Sequence, residues 1–432
     1  DAPQSLGLLM MTYLFDPTFK FDEDILAVKP RGLTNSGNIC YMNVVLQCLI
    51  FCEPFARLFH LVESKSIASI GTDSPTSLID ATVNFLKDYM TILPSYKLGG
   101  SFNSDGIVVG KPLSPEPFYQ KLIENPKFRH LSWGLQEDAE EFLGYLLDGL
   151  HEEFVKVEVT VPQEQMERLA EKFSQKAPAG RSAALKTSVL QAARLVRTKT
   201  TEHVEESEVV NESDSNDWSE IGSGRHVCKR RVVVEPSPIT RLFGGRFRSV
   251  LTVPKSKEQQ SITLDPFRCI LLDISLSNIE TIEDALWKFN ETEMLLYKVE
   301  AGNEVVAKKQ TFIDELPEIL ILHLKRFSYQ NERPFGSIEK VTKNVLYGLK
   351  LAVPPESLST TLRREHRNNY QLTAVIYHHG RNAEGGHYTC DVFRPGRKWL
   401  RIDDTAVEAV DAECVLDMSE RDKSAYILMY QR

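Results

Sequence analysis

The stretch Gly32-Leu33-Thr34-Asn35-Ser36-Gly37-Asn38-Ile39-Cys40-Tyr41-Met42-Asn43 places one cysteine where a polar loop becomes an apolar helical pattern. A thiol at a helix N-terminus lies close to unpaired N–H groups and to the positive end of the helix dipole, and both stabilise a thiolate. Because the thiolate is the nucleophilic form of cysteine, this stretch predicts a reactive thiol at Cys40.

A histidine and two acids follow far downstream, in Gly385-Gly386-His387-Tyr388 and in Trp399-Leu400-Arg401-Ile402-Asp403-Asp404. Cysteine, histidine and aspartate in this order are typical of a thiol hydrolase whose base lies next to its nucleophile in space rather than in sequence. The order of these residues therefore predicts hydrolytic chemistry at Cys40.

The histidine and the acids fall on a predicted hairpin formed by 388–393 and 398–402. In one register His387 lies opposite Asp404, and after a shift of one residue it lies opposite Asp403. In either register a carboxylate ends one strand beside the imidazole that begins the other. We expect this carboxylate to accept the Nδ1–H of the imidazole and to leave Nε2 facing the thiol.

Gly385 and Gly386, directly before the histidine, indicate a close approach of backbone and ligand. The alternative for this region is a surface hairpin that carries a histidine by chance. For Asn35, one interpretation is an amide that donates to a developing oxyanion together with the backbone N–H of Cys40, a contribution of about 3–4 kcal/mol per donor. The other is a turn residue that tolerates positive φ, and the loop composition does not separate the two.

The composition is that of an ordinary globular protein, with 42% hydrophobic and 26% charged residues in a chain of 432. No run of about 18 apolar residues occurs, so no membrane span is predicted. The net charge of −9 disfavours nucleic-acid binding as the main role. Residues 1–28 lack a basic-then-apolar signal pattern, and we predict them to be an extension of unknown role that precedes a domain over 29–432.

The seven cysteines are odd in number and scattered in spacing, which argues against a disulfide framework and fits a reducing compartment. Cys48 and Cys52 are spaced like half of a metal site on a helix. The alternative is that both are small buried thiols on the core face of the helix. No Cys-x-x-Cys pair that could complete a metal site occurs in the chain.

Helical patterns come first along the chain and strand patterns later, which predicts an α+β fold. The predicted helices are 39–60 (with Pro54 ending or kinking it), 77–90, 117–124, 136–153 and 281–289. The predicted strands are 246–253, 267–274, 319–327, 370–377, 388–393, 398–402 and 425–430.

A segment at 157–237 differs from both halves. Residues 201–220 contain eight acids and no lysine or arginine, and low hydrophobicity with unbalanced charge predicts a disordered insertion. Helical patterns at 163–175 and 183–197 would then form only transiently. The basic patch 225–231 fits a localisation signal, a partner site or a solvated stretch that balances the acids.

Four motifs resemble the ubiquitin-specific proteases. Gly32 to Gln47 resembles the cysteine box of that family, and Gly385 to Phe393 with Trp399 to Asp404 resembles its histidine box. Leu135 to Leu143 resembles its Gln-Asp box, and Pro317 to Phe327 resembles its core strand. The resemblance covers about 30–432 and implies a papain-like fold with fingers, palm and thumb, and hydrolysis of the bond after the Gly-Gly end of ubiquitin.

The resemblance also implies roles for single residues. Cys40 matches the nucleophile, His387 the base, Asp403 the orienting acid, Asn35 the oxyanion donor and Asp404 a second, assisting acid. The positions that match contacts to the ubiquitin tail are Gln136, Asp138, Gly385, Gly386 and Tyr388. The alternative for Gln136 and Asp138 is an exposed acidic helix face.

One departure from the family pattern concerns zinc. Many members hold zinc with two Cys-x-x-Cys pairs, whereas 246–269 contains a single cysteine, Cys269, so we predict no structural zinc and no cofactor. Ubiquitin and ubiquitinated proteins are the implied partners, with a regulatory partner at 157–237 or upstream. The implied location is the cytoplasm, with the nucleus as a second compartment. The competing hypotheses are a non-catalytic ubiquitin-binding scaffold and a general papain-like peptidase.

Overall fold

The computed structural model describes ten stretches of the chain, so the acidic run at 202–220 and the turn at 395–397 lie outside the described residues. The described residues are 4–21, 25–66, 76–93, 109–201, 227–254, 260–298, 304–330, 337–381, 385–394 and 399–432.

The described chain contains helices mainly in its first half, as the sequence predicts. The helices are α1 (Leu6–Phe15), α2 (Cys40–Ile50), α3 (Glu53–Lys65), α4 (Ser77–Lys87), α5 (Glu116–Glu124), α6 (Ala139–Val159), α7 (Gln163–Lys176), α8 (Ser182–Thr201), α9 (Pro238–Phe243), α10 (Ile282–Phe289), α11 (Thr360–Glu365) and α12 (Ala412–Leu416).

The strands concentrate in the second half. They are β1 (Ile25–Val28), β2 (Met90–Leu93), β3 (Val227–Arg231), β4 (Gly245–Thr252), β5 (Gln260–Phe267), β6 (Ile270–Asp273), β7 (Glu293–Lys298), β8 (Glu304–Glu315), β9 (Ile319–Lys325), β10 (Phe327–Gln330), β11 (Ser337–Lys340), β12 (Lys350–Ala352), β13 (Asn369–His379), β14 (His387–Val392), β15 (Trp399–Asp403), β16 (Ala406–Val410) and β17 (Lys423–Gln431).

Two larger sheets organise these strands. The first has the order β16-β15-β14-β13-β17-β9-β6, with β12 added beside β13, and the second has the order β3-β5-β4-β8-β7. Every predicted strand has its counterpart, in β4, β6, β9, β13, β14, β15 and β17, which confirms the α+β class. Among the strands that were not predicted are β7 and β8, whose sequences lack the regular alternation of apolar and polar residues that marks a half-buried strand.

The helix that begins at Cys40 packs on the first sheet. Every residue of α2 is buried, and the helix lies against β13 and β14. The predicted single helix at 39–60 is two helices, because the chain bends by 81° between α2 and α3, where Pro54 stands in the first turn of α3. No single helix in the described residues is long and apolar enough to cross a membrane, although the bent pair α2–α3 passes that test jointly.

The prediction of disorder is wrong for the part of the insertion that the structure describes. Helices α7 and α8 pair with each other and bury a small core of their own against α1. Apolar residues at helical spacing outweigh the charge of the segment, since they can be buried together. This core consists of Met11, Val161, Met166, Ala170, Phe173, Val189 and Ala193.

The separation of residues 1–28 as an extension is also wrong for their described part. Leu9, Met10 and Tyr13 of α1 are buried in the core that surrounds α2, and β1 pairs with β2 in an antiparallel ladder. Gly7 lies against α6, where an added Cβ would come within 2.3 Å of the Val157 carbonyl oxygen. The N-terminal segment is therefore part of the domain.

A buried ion pair holds the register of β14 and β15. Asp391 is 0% exposed on its side chain, and its carboxylate accepts from Arg401 Nε at 2.9 Å, from Arg401 Nη2 at 2.8 Å and from the Tyr377 hydroxyl at 2.9 Å. Because Asp391 and Arg401 are directly opposite in the ladder, this pair fixes how the strands that carry the downstream histidine and aspartate align.

We expect Arg401→Ala to lower the free energy of unfolding by about 3–5 kcal/mol, because it leaves a buried carboxylate without its counter-charge. A urea titration measures the change. The matched control is Arg381→Ala, whose partner Asp422 is 50% exposed, and it should cost less than about 1 kcal/mol. Equal losses of unfolding free energy in the two variants would show that burial does not decide how much these ion pairs contribute to stability.

Candidate active site

Cys40 is the first residue of α2 and is 3% exposed. The residue before the helix, Ile39, has no side chain that can cap it. The cap comes instead from Asn35, whose Oδ1 accepts the Ile39 N–H at 2.9 Å. The polar loop is thereby tied to the helix start, and the thiol lies at the predicted helix N-terminus.

His387 begins β14, the strand on which α2 packs, and it meets Asp403 across the hairpin. His387 Nε2 lies 2.6 Å from Asp403 Oδ1, and Cys40 is near enough to the imidazole to raise its pKa. Since Asp403 occupies Nε2, the thiol uses Nδ1. The predicted nitrogen assignment is therefore wrong, because the Asp403 carboxylate lies against Nε2 and not against Nδ1.

The hairpin register also differs from both expected alignments. Cys390 pairs with Ile402 and Val392 with Leu400, so neither aspartate is directly opposite His387. Asp403 reaches the imidazole diagonally instead, on the same face of the sheet, which is within the range of cross-strand neighbours.

The environment of His387 favours its charged form. The hydrogen bond with Cys40 raises the pKa of His387 to about 9, partial burial opposes this, and the hydrogen bond with Asp403 adds to the increase. At neutral pH the imidazole therefore carries a proton next to the thiol. A thiolate–imidazolium pair is the reactive form of such a site.

Asp404 lies at the tip of the β15–β16 turn, in the left-handed region with φ 46°. Its Oδ2 is 3.9 Å from His387 Nε2, beyond hydrogen-bond distance. The same oxygen accepts from Asn35 Nδ2 at 2.9 Å, and its backbone oxygen accepts from the Leu33 N–H at 2.8 Å. The structure thus connects Asp404 to the loop before the cysteine rather than to the imidazole.

Within the described part of the chain, one group could hold a metal ion: ligand atoms of His387, Asp403 and Asp404 lie within 4.8 Å of one another. Two of these side chains already share the short hydrogen bond between imidazole and carboxylate. The absence of a required metal or cofactor stays a prediction.

The two polar residues of the Gln-Asp box lie before α6 and not on its exposed face. Gln136 Nε2 donates to the Gly386 carbonyl oxygen at 3.1 Å. Asp138 is the N-cap of α6 and accepts from the Glu140 N–H at 2.7 Å. It also accepts from the Tyr426 hydroxyl at 2.6 Å. The helix therefore begins at Ala139 instead of Gln136, because Asp138 caps it.

The glycine pair adopts backbone that side chains rarely allow. Gly385 has φ 116° and Gly386 has φ 141°, and a Cβ added to Gly386 would come within 2.4 Å of the His379 carbonyl oxygen. Tyr388 is 3% exposed, and its ring packs against Tyr426. The role of Tyr388 as a contact to the ubiquitin tail stays a prediction.

Asn43 and Lys340 also contact this site, although no role was predicted for them from the sequence. Asn43 Nδ2 donates to Asp404 Oδ1 at 2.9 Å. Lys340 Nζ donates to the Gly380 carbonyl oxygen at 2.7 Å, at the base of the glycine loop. A polar residue one turn after the cysteine, inside an otherwise apolar helix, was a signal for Asn43. Nothing in the sequence near Lys340 marks it.

Comparisons with known proteins show the family of the chain. Residues 31–430 match the sequence model of the family described as ubiquitin carboxyl-terminal hydrolase. The chain is 35% identical to ubiquitin carboxyl-terminal hydrolase 3 of Saccharomyces cerevisiae, over 99% of this chain and 54% of that protein. It is 34% identical to ubiquitin carboxyl-terminal hydrolase 10 of Gallus gallus, over 94% of this chain and 49% of that protein. The chain thus spans about half the length of these relatives.

A solved structure shows the same fold. The SAGA Ubp8 DUB module bound to ubiquitin aldehyde superposes with a TM-score of 0.60 at 19% identity, over 95% of this chain and 71% of that chain. The arrangement of Cys40, His387 and Asp403 is of the kind that thiol hydrolysis requires. The chain belongs to the ubiquitin carboxyl-terminal hydrolase family, whose members are cysteine-type deubiquitinating enzymes. The resemblance to the ubiquitin-specific proteases is thereby confirmed.

Proposed function

We propose that this chain hydrolyses the peptide or isopeptide bond that follows the C-terminal Gly-Gly of ubiquitin on protein substrates. The observation that carries the proposal is the His387 imidazole, which Asp403 holds at 2.6 Å through Nε2 and next to which Cys40 lies at the start of α2. A scaffold that only binds ubiquitin does not need a thiol, an imidazole and a carboxylate in line. The family membership of the chain supports the same function.

The triad geometry indicates the order of the proton transfers. The Cys40 thiolate attacks the carbonyl carbon of the terminal glycine, and His387 gives its Nδ1 proton to the leaving lysine amine. The Cys40–ubiquitin thioester is then hydrolysed by water, which His387 deprotonates. Asp403 holds the ring through Nε2 and stabilises its charged form in both halves of the reaction.

The oxyanion of each tetrahedral intermediate requires donors near Cys40. The backbone N–H of Cys40 is one, since it stands at the open start of α2. Asn35 Nδ2 is the other: an amide nitrogen carries two protons, and Asp404 accepts only one of them. The second proton of Asn35 is free to stabilise the oxyanion.

The glycine loop and the Gln-Asp box form the proposed channel for the ubiquitin tail. The Gln136 amide, which donates to Gly386 in the free chain, would exchange this partner for the backbone of the extended tail. The channel near Gly385 and Gly386 would exclude residues that have side chains, which explains a Gly-Gly requirement by sterics. Asp138 attracts an arginine of the tail by its charge.

The partners and the location are further proposals. Ubiquitin and ubiquitinated proteins are the substrates, and a regulatory partner binds at 157–237 or upstream. We place the protein in the cytoplasm and additionally in the nucleus. A general papain-like peptidase remains the alternative enzyme, and it would cleave short peptides that lack ubiquitin.

The pKa of His387 predicts the alkaline limit of the reaction. The pKa is raised to about 9, so the proton of the imidazolium is retained at neutral pH and lost as the pH rises through that value. We expect kcat/KM for a fluorogenic ubiquitin amide to fall over that range. Asp403→Asn removes a negative charge that helps to raise this pKa, so the fall should move to lower pH. An unmoved limit would mean that another group controls it.

The function is tested by incubating the purified chain with a ubiquitin bearing a C-terminal electrophile, beside His387→Ala and beside a short peptide that carries the same electrophile. A covalent adduct with ubiquitin that forms quickly in the parent chain and slowly in the variant supports the proposal. No ubiquitin adduct from folded protein would favour the scaffold. Equal labelling by the short peptide would favour the general peptidase.

A further inference from the structure

Asn43 is buried beside the proposed active site, one helical turn after Cys40. It is 2% exposed, and its Nδ2 donates to Asp404 Oδ1 at 2.9 Å and to the Thr34 carbonyl oxygen at 3.3 Å. A buried amide in an apolar helix is costly unless its hydrogen bonds are needed. Both acceptors lie outside the helix, so Asn43 connects α2 to the β15–β16 turn and to the loop before the cysteine.

The carboxylate of Asp404 is shared between two asparagines. Its Oδ1 accepts from Asn43, and its Oδ2 accepts from Asn35 Nδ2 at 2.9 Å. The other end of the Asn35 amide is fixed as well, because Oδ1 accepts the Ile39 N–H at 2.9 Å. We call Asn43, Asp404 and Asn35 the amide relay, because each hydrogen bond in this series orients the next group.

The amide relay determines where the second Nδ2 proton of Asn35 points. With one proton on Asp404 and Oδ1 on Ile39, the amide plane of Asn35 has a single orientation. An oxyanion donor is effective only when it is already aimed at the position where charge develops. Asn43 does not touch that position, but it holds the carboxylate that aims the donor.

The turn that carries Asp404 is docked on the loop of Asn35. Gly32 lies against Thr405, where an added Cβ would come within 2.4 Å of the Thr405 Cα, and the Leu33 N–H donates to the backbone oxygen of Asp404. The backbone position is thus fixed, and the orientation of the carboxylate depends on its donors. Without Asn43, the Asp404 carboxylate can rotate toward His387 Nε2, which is already within 3.9 Å.

We propose that Asn43 is a positioning residue for the acyl-transfer steps: through Asp404 it keeps the Asn35 amide aimed at the oxyanion and keeps the Asp404 carboxylate away from His387. This inference rests on the proposed function. It assigns Asp404 a role as an anchor between two amides, in addition to its charge near the imidazole.

The first test is Asn43→Ala, assayed with a fluorogenic ubiquitin amide. We expect kcat to fall by roughly tenfold to a hundredfold, as for a donor that is misplaced by about 1 Å, while KM stays within about twofold. The matched control is Gln47→Ala. Gln47 is buried one turn later in α2 and donates to the Arg31 carbonyl oxygen at 2.7 Å, so its removal should leave kcat within about twofold.

The second test is a double-mutant cycle with Asn35→Ala. If Asn43 acts through Asn35, then Asn43→Ala should cost little more once Asn35 is alanine, so the two losses do not multiply. Losses that multiply would overturn the proposal, as would an equal loss in Gln47→Ala or a loss confined to KM. Asn43→Ser, which retains a donor, should recover part of kcat. It also serves as the test variant if the alanine variant does not fold.

The inference and the function on which it rests fail in different ways. A parent chain that forms no adduct with the ubiquitin electrophile refutes the proposed function. A parent chain that reacts, beside a folded Asn43→Ala variant with the same kcat, refutes only the role of Asn43.

Discussion

Cys40→Ala is expected to abolish both the adduct with a ubiquitin electrophile and the hydrolysis of ubiquitin amides, with a loss of kcat beyond about 10⁴-fold. The thiolate forms the covalent bond in the proposed reaction, and the other described groups beside His387, Asp403 and Asp404, are carboxylates and not thiols. Binding of ubiquitin should survive, because Cys40 is 3% exposed and offers almost no contact area. Adduct formation is measured by intact mass and binding by titration.

Cys48→Ala is the control for this variant. Cys48 lies in the same helix and is equally buried. Unlike Cys40, it is not among the groups that act on the His387 imidazole. The Cys48→Ala variant should form the ubiquitin adduct at the same rate as the parent chain. If Cys40→Ala still forms an adduct, the nucleophile is another residue. If it loses ubiquitin binding together with hydrolysis, Cys40 has a structural role.

Asp403→Ala is expected to give the second large effect, a loss of kcat by roughly 10³-fold to 10⁴-fold. The Asp403 carboxylate fixes the His387 ring at Nε2 with a 2.6 Å hydrogen bond and helps to keep it protonated. Asp404→Ala should cost less, roughly tenfold to a hundredfold. Asp404 lies 3.9 Å from the same nitrogen and acts through Asn35.

The ranking of the two aspartates is read from kcat at saturating ubiquitin substrate, together with the pH dependence of each variant. Only Asp403→Ala should move the alkaline limit to lower pH, because Asp403 directly hydrogen-bonds the imidazole. A larger loss in Asp404→Ala would reassign the third member of the triad to Asp404.

The parts of the site that sequence predicted are those in which a motif is contiguous. Cys40 at a helix start and His387 at a strand start were readable, because composition changes sharply at both positions. That Cys40 and His387 act together could be predicted only from their order along the chain. The roles of Gln136 and Asp138 as ubiquitin contacts stay predictions, and the structure adds that Asp138 is also a helix cap.

The errors arose where contacts between distant segments decide the outcome. The disorder predicted for the insertion rested on its charge, whereas the burial of Met166 and Phe173 against Met11 depends on a helix far away in sequence. Charge and hydrophobicity summed over a segment do not report which surfaces meet.

The amino-acid sequence by itself determined the α+β class, the four family motifs and the position of the proposed nucleophile at a helix start, because local periodicity and loop composition encode helices, strands and their ends. Tertiary structure alone decided which imidazole nitrogen faces Cys40, which aspartate holds His387 and which residue anchors Asp404. A difference of one residue in register, or of one turn along a helix, changes each of these contacts without altering any motif. Only the packing of α2 against the hairpin fixes them.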